Sequence, residues 1–185
     1  MPAHAQTSTD AIVAAGRHLL EERGMDALTM RDVASAVGVR APSLYKRVRD
    51  RTDLVRLILE DAADELTSTL DAAASSGDPV ADARAMALAF RKFAHANPVT
   101  YTLMFAPQAG APGATARSVR SSATFLRIIA ELVGPEPALP AARTIVAWAH
   151  GFITMELAGA FRLGGDVDQA WDFGLDRILT ALRCA

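Results

Sequence analysis

Residues 29–54 read TMRDVASAVGVRAPSLYKRVRDRTDL. Two short helical segments meet there at a glycine. Thr29 is a good N-cap, because its hydroxyl can accept from an N–H that the first helical turn leaves unpaired. Val33, Ala34 and Val37 follow at helical spacing. Gly38 then supplies the left-handed backbone that a sharp turn needs. Pro42 suits the first turn of a second segment, expected over 42–48, where its missing N–H costs nothing. Ala34 permits close approach of the two helices, and Leu44 locks the second one, with Val33, Val37 and Val39 as wedges. These are the requirements of a helix-turn-helix. Ser43, Tyr45, Lys46 and Arg47 are then carried outward on the helix that such motifs lay in a major groove.

Charge points the same way. The 185-residue chain has a formal net charge of −2, so its overall charge announces no polyanionic partner. Between Thr29 and Arg56, however, stand Arg31, Arg40, Lys46, Arg47, Arg49, Arg51 and Arg56 against only Asp32, Asp50 and Asp53. The chain beyond Arg56 is acidic. A basic module on an acidic body is the footprint of an element that docks on phosphates.

Outward from this stretch, every segment reads as helix. Ser8 or Thr9 caps a first helix whose apolar face is Ile12, Ala15, Leu19 and Leu20, with Gly24 at its end. Residues 1–7 read as a disordered tail. Asp50-Arg51-Thr52-Asp53 resembles a capping box with Asp53 in the place of the usual glutamate. It opens a long fourth helix through Leu54, Leu57, Ile58, Ala62 and Leu66, a stiff connector that ends near residues 75–77. Asp78-Pro79 starts a fifth helix bearing Val80, Ala83, Ala87, Phe90 and Ala94, and Asn97-Pro98 breaks it. A short sixth helix is expected over 101–105, a loop over 106–115 and a seventh helix over 116–132. An eighth is expected over 140–163, ending at Gly164-Gly165, and a ninth from Asp166 or Asp168 to about Leu182. Alanine is abundant and strand alternation is absent, so the expected fold is all-α with about nine helices. Its domains are expected at 1–50, the helix-turn-helix, and 51–185, a helical ligand-binding and dimerisation domain.

Other classes find little support. Cys184 is the only cysteine, so one chain can build neither a disulfide framework nor a cysteine zinc site. A reducing cytoplasm is the simplest setting. The N-terminus lacks the pattern of a signal peptide, and no apolar run reaches the roughly 18 residues of a membrane span. No nucleophile elbow, P-loop, dinucleotide fingerprint or metal-binding His-Glu helix is present. His4, His18, His95 and His150 are scattered. No enzymatic activity, cofactor, metal or membrane partner is expected.

The stretch AIVAAGRHLLEERGMDALTMRDVASAVGVRAPSLYKRVRDRTDLV resembles the TetR family of regulators over Ile12 to Leu54. The glycine after the first helix, the Thr before the second, the D-V-A-x-x-V-G-V core, the Leu44-Tyr45 pair and Leu54 all fall at the family spacing. Arg40-Ala41-Pro42 stands where Ser-x-Gly is common, Arg47-Val48 where His-Phe is common, and Arg51 where a lysine is common. Trp148-Ala149-His150-Gly151 resembles the Trp-x-His-Gly signature of one branch of the family's C-terminal domains.

The resemblance implies a homodimer on double-stranded DNA at a palindromic operator, and a small organic effector. Repression relieved by that effector is the expected outcome. A ligand-dependent activator, and a helical small-molecule-binding protein without operator function, are the alternatives. Thr29 is expected to cap its helix and to reach a phosphate through its backbone N–H. Tyr45, Lys46 and Arg51 are expected on phosphates, and Arg40, Ser43 and Arg47 on base edges, with Pro42 opening the recognition helix. Phe90, Phe93, Tyr101, Met104, Phe105, Phe125, Trp148 and Phe152 are the candidate ligand-lining residues, with His95, Thr144, His150 and Glu156 as polar anchors. Gly159, Trp171, Leu175, Ile178 and Leu182 are the candidates for the dimer interface, in an intermolecular bundle of the last two helices.

Overall fold

The computed structural model describes residues 8–106 and 114–183, with backbone alone at 114–122. The expected N-terminal tail, most of the expected 106–115 loop and Cys184 lie outside the described residues. Within them the chain is all-helical: α1 (Thr9–Arg23), a 3₁₀ turn (Met25–Ala27), α2 (Met30–Ala36), α3 (Ala41–Leu44), α4 (Arg51–Ala73), α5 (Pro79–Ala96), α6 (Pro98–Phe105), α7 (Ala114–Val133), α8 (Ala138–Leu157) and α9 (Val167–Arg183).

Local chemistry sets these boundaries. The Ser8 hydroxyl accepts the Ala11 N–H at 3.1 Å and opens α1. Asp50 Oδ1 accepts the Asp53 N–H at 2.8 Å and opens α4. In return Asp53 Oδ2 accepts from the Arg49 N–H at 3.0 Å, one residue earlier than a standard capping box would reach. Asp78 Oδ1 accepts the Val80 N–H and opens α5, and Asp166 Oδ1 accepts the Asp168 N–H and opens α9.

Three elements differ from expectation, the first being α6, expected over 101–105 but starting at Pro98. The eighth helix was expected to run to Leu163, but α8 stops at Leu157. Gly159 takes φ +61°, its N–H donates to Glu156 O, and the Ala160 N–H reaches back to Met155 O at 2.9 Å. That pair of bonds is a Schellman closure, in which the glycine satisfies carbonyls the helix would leave bare. Gly159 thus ends the helix it was expected to pack along. The third helix was expected over 42–48, yet its α-helical part is only Ala41–Leu44 and the chain goes on as turns, with the Arg47 and Val48 N–H groups both donating to Leu44 O.

The chain packs as two compact units. The first holds α1 to α3, α4 as far as Asp64, and α6. The second holds α4 from Glu65, α5, and α7 to α9. Sequence reading put a boundary between residues 50 and 51, where α4 begins; the packed unit runs on into α4 and takes α6 back.

The core of the first unit is Ile12, Leu20, Leu28, Val33, Leu44, Leu54 and Ile58, all fully buried. Val99 and Leu103 of α6 lie against it. Gly16 brings α1 close to α4, since a β-carbon there would stand 3.0 Å from Ile58 Cδ1. The core of the second unit is built by Met86, Ile128, Ile129, Ile145, Ile153, Trp171, Leu175 and Leu179. No described helix is long and apolar enough to cross a membrane.

Candidate nucleic-acid interface

The helix-turn-helix is fixed from both ends. Thr29 Oγ1 accepts the Asp32 N–H at 3.1 Å and donates to Asp32 Oδ2 at 2.5 Å, which closes the first turn of α2. The Thr29 N–H itself donates to Ala27 O at 2.9 Å. In the chain without DNA, the N–H expected to reach a phosphate is thus engaged with its own backbone. At the other end of α2, Gly38 adopts φ +73°. Its N–H donates to Ser35 O, and the Val39 N–H donates to Ala34 O at 2.9 Å, a second Schellman closure. The chain leaves this turn in extended conformation at Arg40 and enters α3, with Pro42 in its first turn.

Leu44 and Val48 are buried four residues apart and anchor the recognition segment. Between them Tyr45, Lys46 and Arg47 are exposed, Tyr45 by 54%. Arg40 and Pro42 are also exposed, and Ser43 is half-buried. The structure therefore gathers the expected contact residues of 40–47 on one short anchored segment.

The seven basic residues of 29–56 divide into two groups. Asp53, nearly buried, accepts from the Arg56 guanidinium at 2.7 Å and from Arg49 Nη2 at 3.4 Å, and Arg56 also pairs with Glu60 at 2.7 Å. The Arg49 backbone N–H first, and then the Arg56 guanidinium, pull the Asp53 carboxyl down to about 2. Arg51 donates from Nε to Leu28 O at 2.7 Å and from Nη2 to Met25 O. Arg51 and Arg56 are thus engaged by their own chain, while Arg49, its side chain 82% exposed, makes only the longer contact to Asp53. Among the described residues, the side chains of Arg31, Arg40, Lys46 and Arg47 have no hydrogen-bond or ion-pair partner. Charge counting cannot make this division, because it depends on which acids fold back on which cations.

The candidate ligand-lining residues fall in both units. Tyr101, Met104 and Phe105 belong to the first; Phe90, Phe93, Phe125, Trp148 and Phe152 belong to the second. Tyr101 is buried, which pushes its hydroxyl well above the usual phenol range, and its ring lies 4.9 Å from that of Phe105. In the second unit Trp148 packs on Phe152 at 5.7 Å and on Trp171 at 4.8 Å between ring centroids. Phe152 also meets Trp171 edge-on at 5.3 Å and Phe161 at 4.8 Å. Phe93 is buried, and Phe90 and Phe125 are half-buried. A surface groove of about 480 Å³ beside α5 and α9 is bordered by Arg84, Phe173 and Arg177, and by none of the candidate lining residues.

Trp171 and Leu175, expected at the dimer interface, are each only 1% exposed within one chain. They have no surface left to offer a second copy. Ile178 and Leu182 are half-buried, and Gly159 lies beyond the end of α8.

Comparisons with sequence families, similar proteins and solved structures bear on this geometry. The profile described as "Bacterial regulatory proteins, tetR family" matches residues 12–58, and "Tetracyclin repressor-like, C-terminal domain" matches residues 83–178. The chain belongs to the TetR family. An uncharacterized HTH-type transcriptional regulator of Mycobacterium tuberculosis, Rv0681, is 27% identical over 84% of this chain and 72% of that protein. A solved structure of a protein of unknown function from Rhodococcus sp. RHA1 is 27% identical, covers 95% of both chains and superposes with a TM-score of 0.82. A TetR variant from Acinetobacter baumannii in complex with minocycline is 24% identical, covers 94% of this chain and 95% of that one, and superposes at 0.69; that likeness shows the fold alone.

In this TetR-family chain, sequence reading named His95 and Glu156 as polar anchors but missed Arg91, which joins Glu156 to Asp168 in one cluster of the second unit. Arg91 of α5 is 9% exposed. It donates to both Glu156 oxygens, at 2.9 and 2.5 Å, and to Asp168 Oδ1 at 2.6 Å. Its guanidinium carbon stands 5.0 Å from the Trp171 ring centroid. His95 Nε2 lies 3.2 Å from Glu156 Oε2. Burial pushes the Glu156 carboxyl up, but the hydrogen bonds from Arg91 and then His95 outweigh it and hold the group below the usual carboxylate range. The available signal was a charged residue set among the apolar positions of α5, where a buried cation demands an acid.

Proposed function

We propose that this chain is a dimeric transcriptional repressor that holds a palindromic operator and is released by a small organic effector. Four cations, Arg31, Arg40, Lys46 and Arg47, carry the proposal: they are exposed, and among the described residues their side chains have no protein partner. A cation kept out of internal ion pairs is available to a phosphate or a base edge. Arg40, Ser43 and Arg47 take the base edges, while Tyr45 and Lys46 hold the backbone.

A two-fold dimer matches a palindromic site, with recognition segments about 34–36 Å apart, one turn of DNA. The outer face of α8 supports such a dimer. Pro140, Ala147, Gly151, Thr154 and Ala158 are exposed and recur at helical spacing along it. Val146 and Met155, 44% and 47% exposed, stand at its two edges, and Phe173 of α9 is 62% exposed. Exposed apolar side chains beside a strip of small residues suit close packing against another helix. The two-fold contact therefore falls on this face, with Ile178 and Leu182 adding what surface they retain.

The similar protein from Acinetobacter baumannii is solved with minocycline, which supports a small organic effector here. The aromatic rings around Trp148 and Phe152 supply apolar surface of the kind such ligands use. Because α4 is one helix that contributes to both units, effector binding is proposed to act on the recognition segments through it. To switch strongly, the effector must favour the released state by several kcal/mol.

The test is selection of duplexes from a random pool by the purified protein at near-physiological salt. Enrichment of a two-fold-symmetric motif is the expected result. Salt-sensitive binding without a motif would reduce the protein to a non-specific electrostatic binder. Absence of any binding would favour a ligand-binding protein without operator function.

A further inference from the structure

We infer that Arg51, an exposed residue, positions the helix-turn-helix through its bonds to carbonyls of its own chain and does not hold a DNA phosphate. The inference rests on the DNA-binding function proposed above. Arg51 is the first residue of α4. Its Nε donates to Leu28 O at 2.7 Å and its Nη2 donates to Met25 O, so two arms of one planar fork are spent on the 3₁₀ turn between α1 and α2. The Met25 carbonyl also accepts the Leu28 N–H at 3.2 Å, so the Leu28 carbonyl is the one that depends on Arg51. The Leu28 carbonyl precedes the Thr29 cap and lies outside the α2 ladder, which begins with the Val33 N–H on Thr29 O. Leu28 itself is fully buried, so water competes poorly for that carbonyl.

The base of this fork is rigid. Asp50 and Asp53 close the first turn of α4 around Arg51, through the Asp53 N–H on Asp50 Oδ1 at 2.8 Å and the Arg49 N–H on Asp53 Oδ2 at 3.0 Å. Its target is rigid too, because Thr29, next to Leu28, fixes the start of α2 by its bonds to Asp32. Arg51 therefore pins the start of α4 to the entry of α2. A displacement of the α4 N-terminus is delivered to the helix-turn-helix through these two hydrogen bonds. Lys46, exposed and without a partner among the described residues, has the opposite character. A lysine at position 51 would keep the charge but not the planar fork that spans two carbonyls.

The experiment measures affinity for a labelled duplex carrying the motif recovered with the wild-type full-length chain, across a salt series. The variants are Arg51→Lys, Arg51→Met and Lys46→Met. Amide hydrogen exchange is followed over residues 25–33 in the protein without DNA. Arg51→Lys is expected to bind about tenfold more weakly, the loss of one charge-assisted hydrogen bond, with the wild-type salt slope. Exchange over residues 25–33 is expected to accelerate. Lys46→Met is expected to lower the slope by about 1.8, the loss of one phosphate contact in each subunit of the dimer, with wild-type exchange. Wild-type affinity in Arg51→Lys, or a slope lowered by about 1.8 in Arg51→Met, one phosphate per subunit, would overturn the assignment. Should Arg51→Met fail to fold, Arg51→Lys alone decides. Should the wild type bind no duplex, the proposed function fails, while unchanged exchange in Arg51→Lys would separately overturn the pin.

Discussion

A β-carbon on Gly174 would stand 2.5 Å from Trp148 Cζ2 and 3.0 Å from Cε2: the missing side chain on α9 is what seats the indole of α8. The indole has little room to retreat, because Phe152 and Trp171 flank it at centroid distances of 5.7 and 4.8 Å. The Trp-x-His-Gly signature thus has a packing partner in α9 that the signature does not contain.

Gly174→Ala is therefore expected to destabilise the protein although alanine is the better helix former. The propensity gain is about 1 kcal/mol, and overpacking a well-filled core costs about 1–3 kcal/mol. A net loss is the expected sign, since the clash falls on a ring held from two sides. Chemical denaturation followed by tryptophan fluorescence checks it; a rise in stability would show that the indole moves aside at no cost.

Asp53 gives the fold an acid-sensitive element. Its carboxyl titrates at about 2 when folded, below the ordinary 3.8. A depressed folded value means the stabilisation is fully present above about pH 4 and disappears as pH falls toward 2. Arg56 is half exposed, so solvent screening keeps the contribution to about 1 kcal/mol. Asp53→Asn is expected to lower stability by that order at neutral pH and to match the wild type near pH 2. Urea denaturation across the pH range reads the difference; a gap independent of pH would assign the role of Asp53 to shape and not to charge.

Periodicity, caps and glycines made most of the helices legible, because those signals are local. Ser8, Thr29, Asp50, Asp78 and Asp166 each accept an N–H at the start of a helix. Gly159 misled because the apolar pattern continues past it, and only the backbone angle shows that the helix has closed. The non-local partners were not legible. Nothing near Arg51 in sequence announces carbonyls at residues 25 and 28, and nothing near Arg91 announces Glu156. Trp171 and Leu175 sit on a helical stripe that serves a chain's own core as well as a two-fold interface, and periodicity alone does not separate the two.

Glu21 shows the same non-local logic with a measurable consequence. Its carboxylate accepts the Val99 N–H at 3.0 Å and the Thr100 N–H at 2.8 Å. A residue of α1 therefore caps α6, whose own Asn97 makes no capping bond. Arg17, also on α1, donates to Asn97 Oδ1 at 2.8 Å. Glu21→Ala is expected to cost about 1–2 kcal/mol, the usual loss of a helix cap. Exchange at Val99 and Thr100 should accelerate more than at Leu20 or Ile58. Uniform acceleration would mean that α6 does not depend on this cap.

Arg47 and Lys46 are expected to fail differently. An arginine that reads guanine contributes about 1–3 kcal/mol of discrimination. Arg47→Ala should relax the preferred base at one position in each half-site and leave the rest of the motif intact. Lys46→Ala should weaken all sequences alike. Repeating the duplex selection with each variant distinguishes them, and a changed motif in Lys46→Ala would reverse the two roles.

Gly151 tests the proposed two-fold contact without disturbing the fold of one chain. It lies mid-helix on the exposed face of α8, and a β-carbon there meets nothing within 4 Å. Within a single chain, a side chain at this position gains helix propensity and clashes with nothing. Across a close two-fold contact, the same side chain would hold two copies of α8 apart. Gly151→Leu is therefore expected to remain helical and at least as resistant to unfolding as an isolated chain, yet to sediment as a monomer at concentrations where the wild type is a dimer. Its affinity for a palindromic duplex should fall accordingly, because each half-site would then be bound separately. If Gly151→Leu stays dimeric with unchanged affinity, the contact lies elsewhere, and the exposed Phe173 on α9 becomes the next residue to substitute.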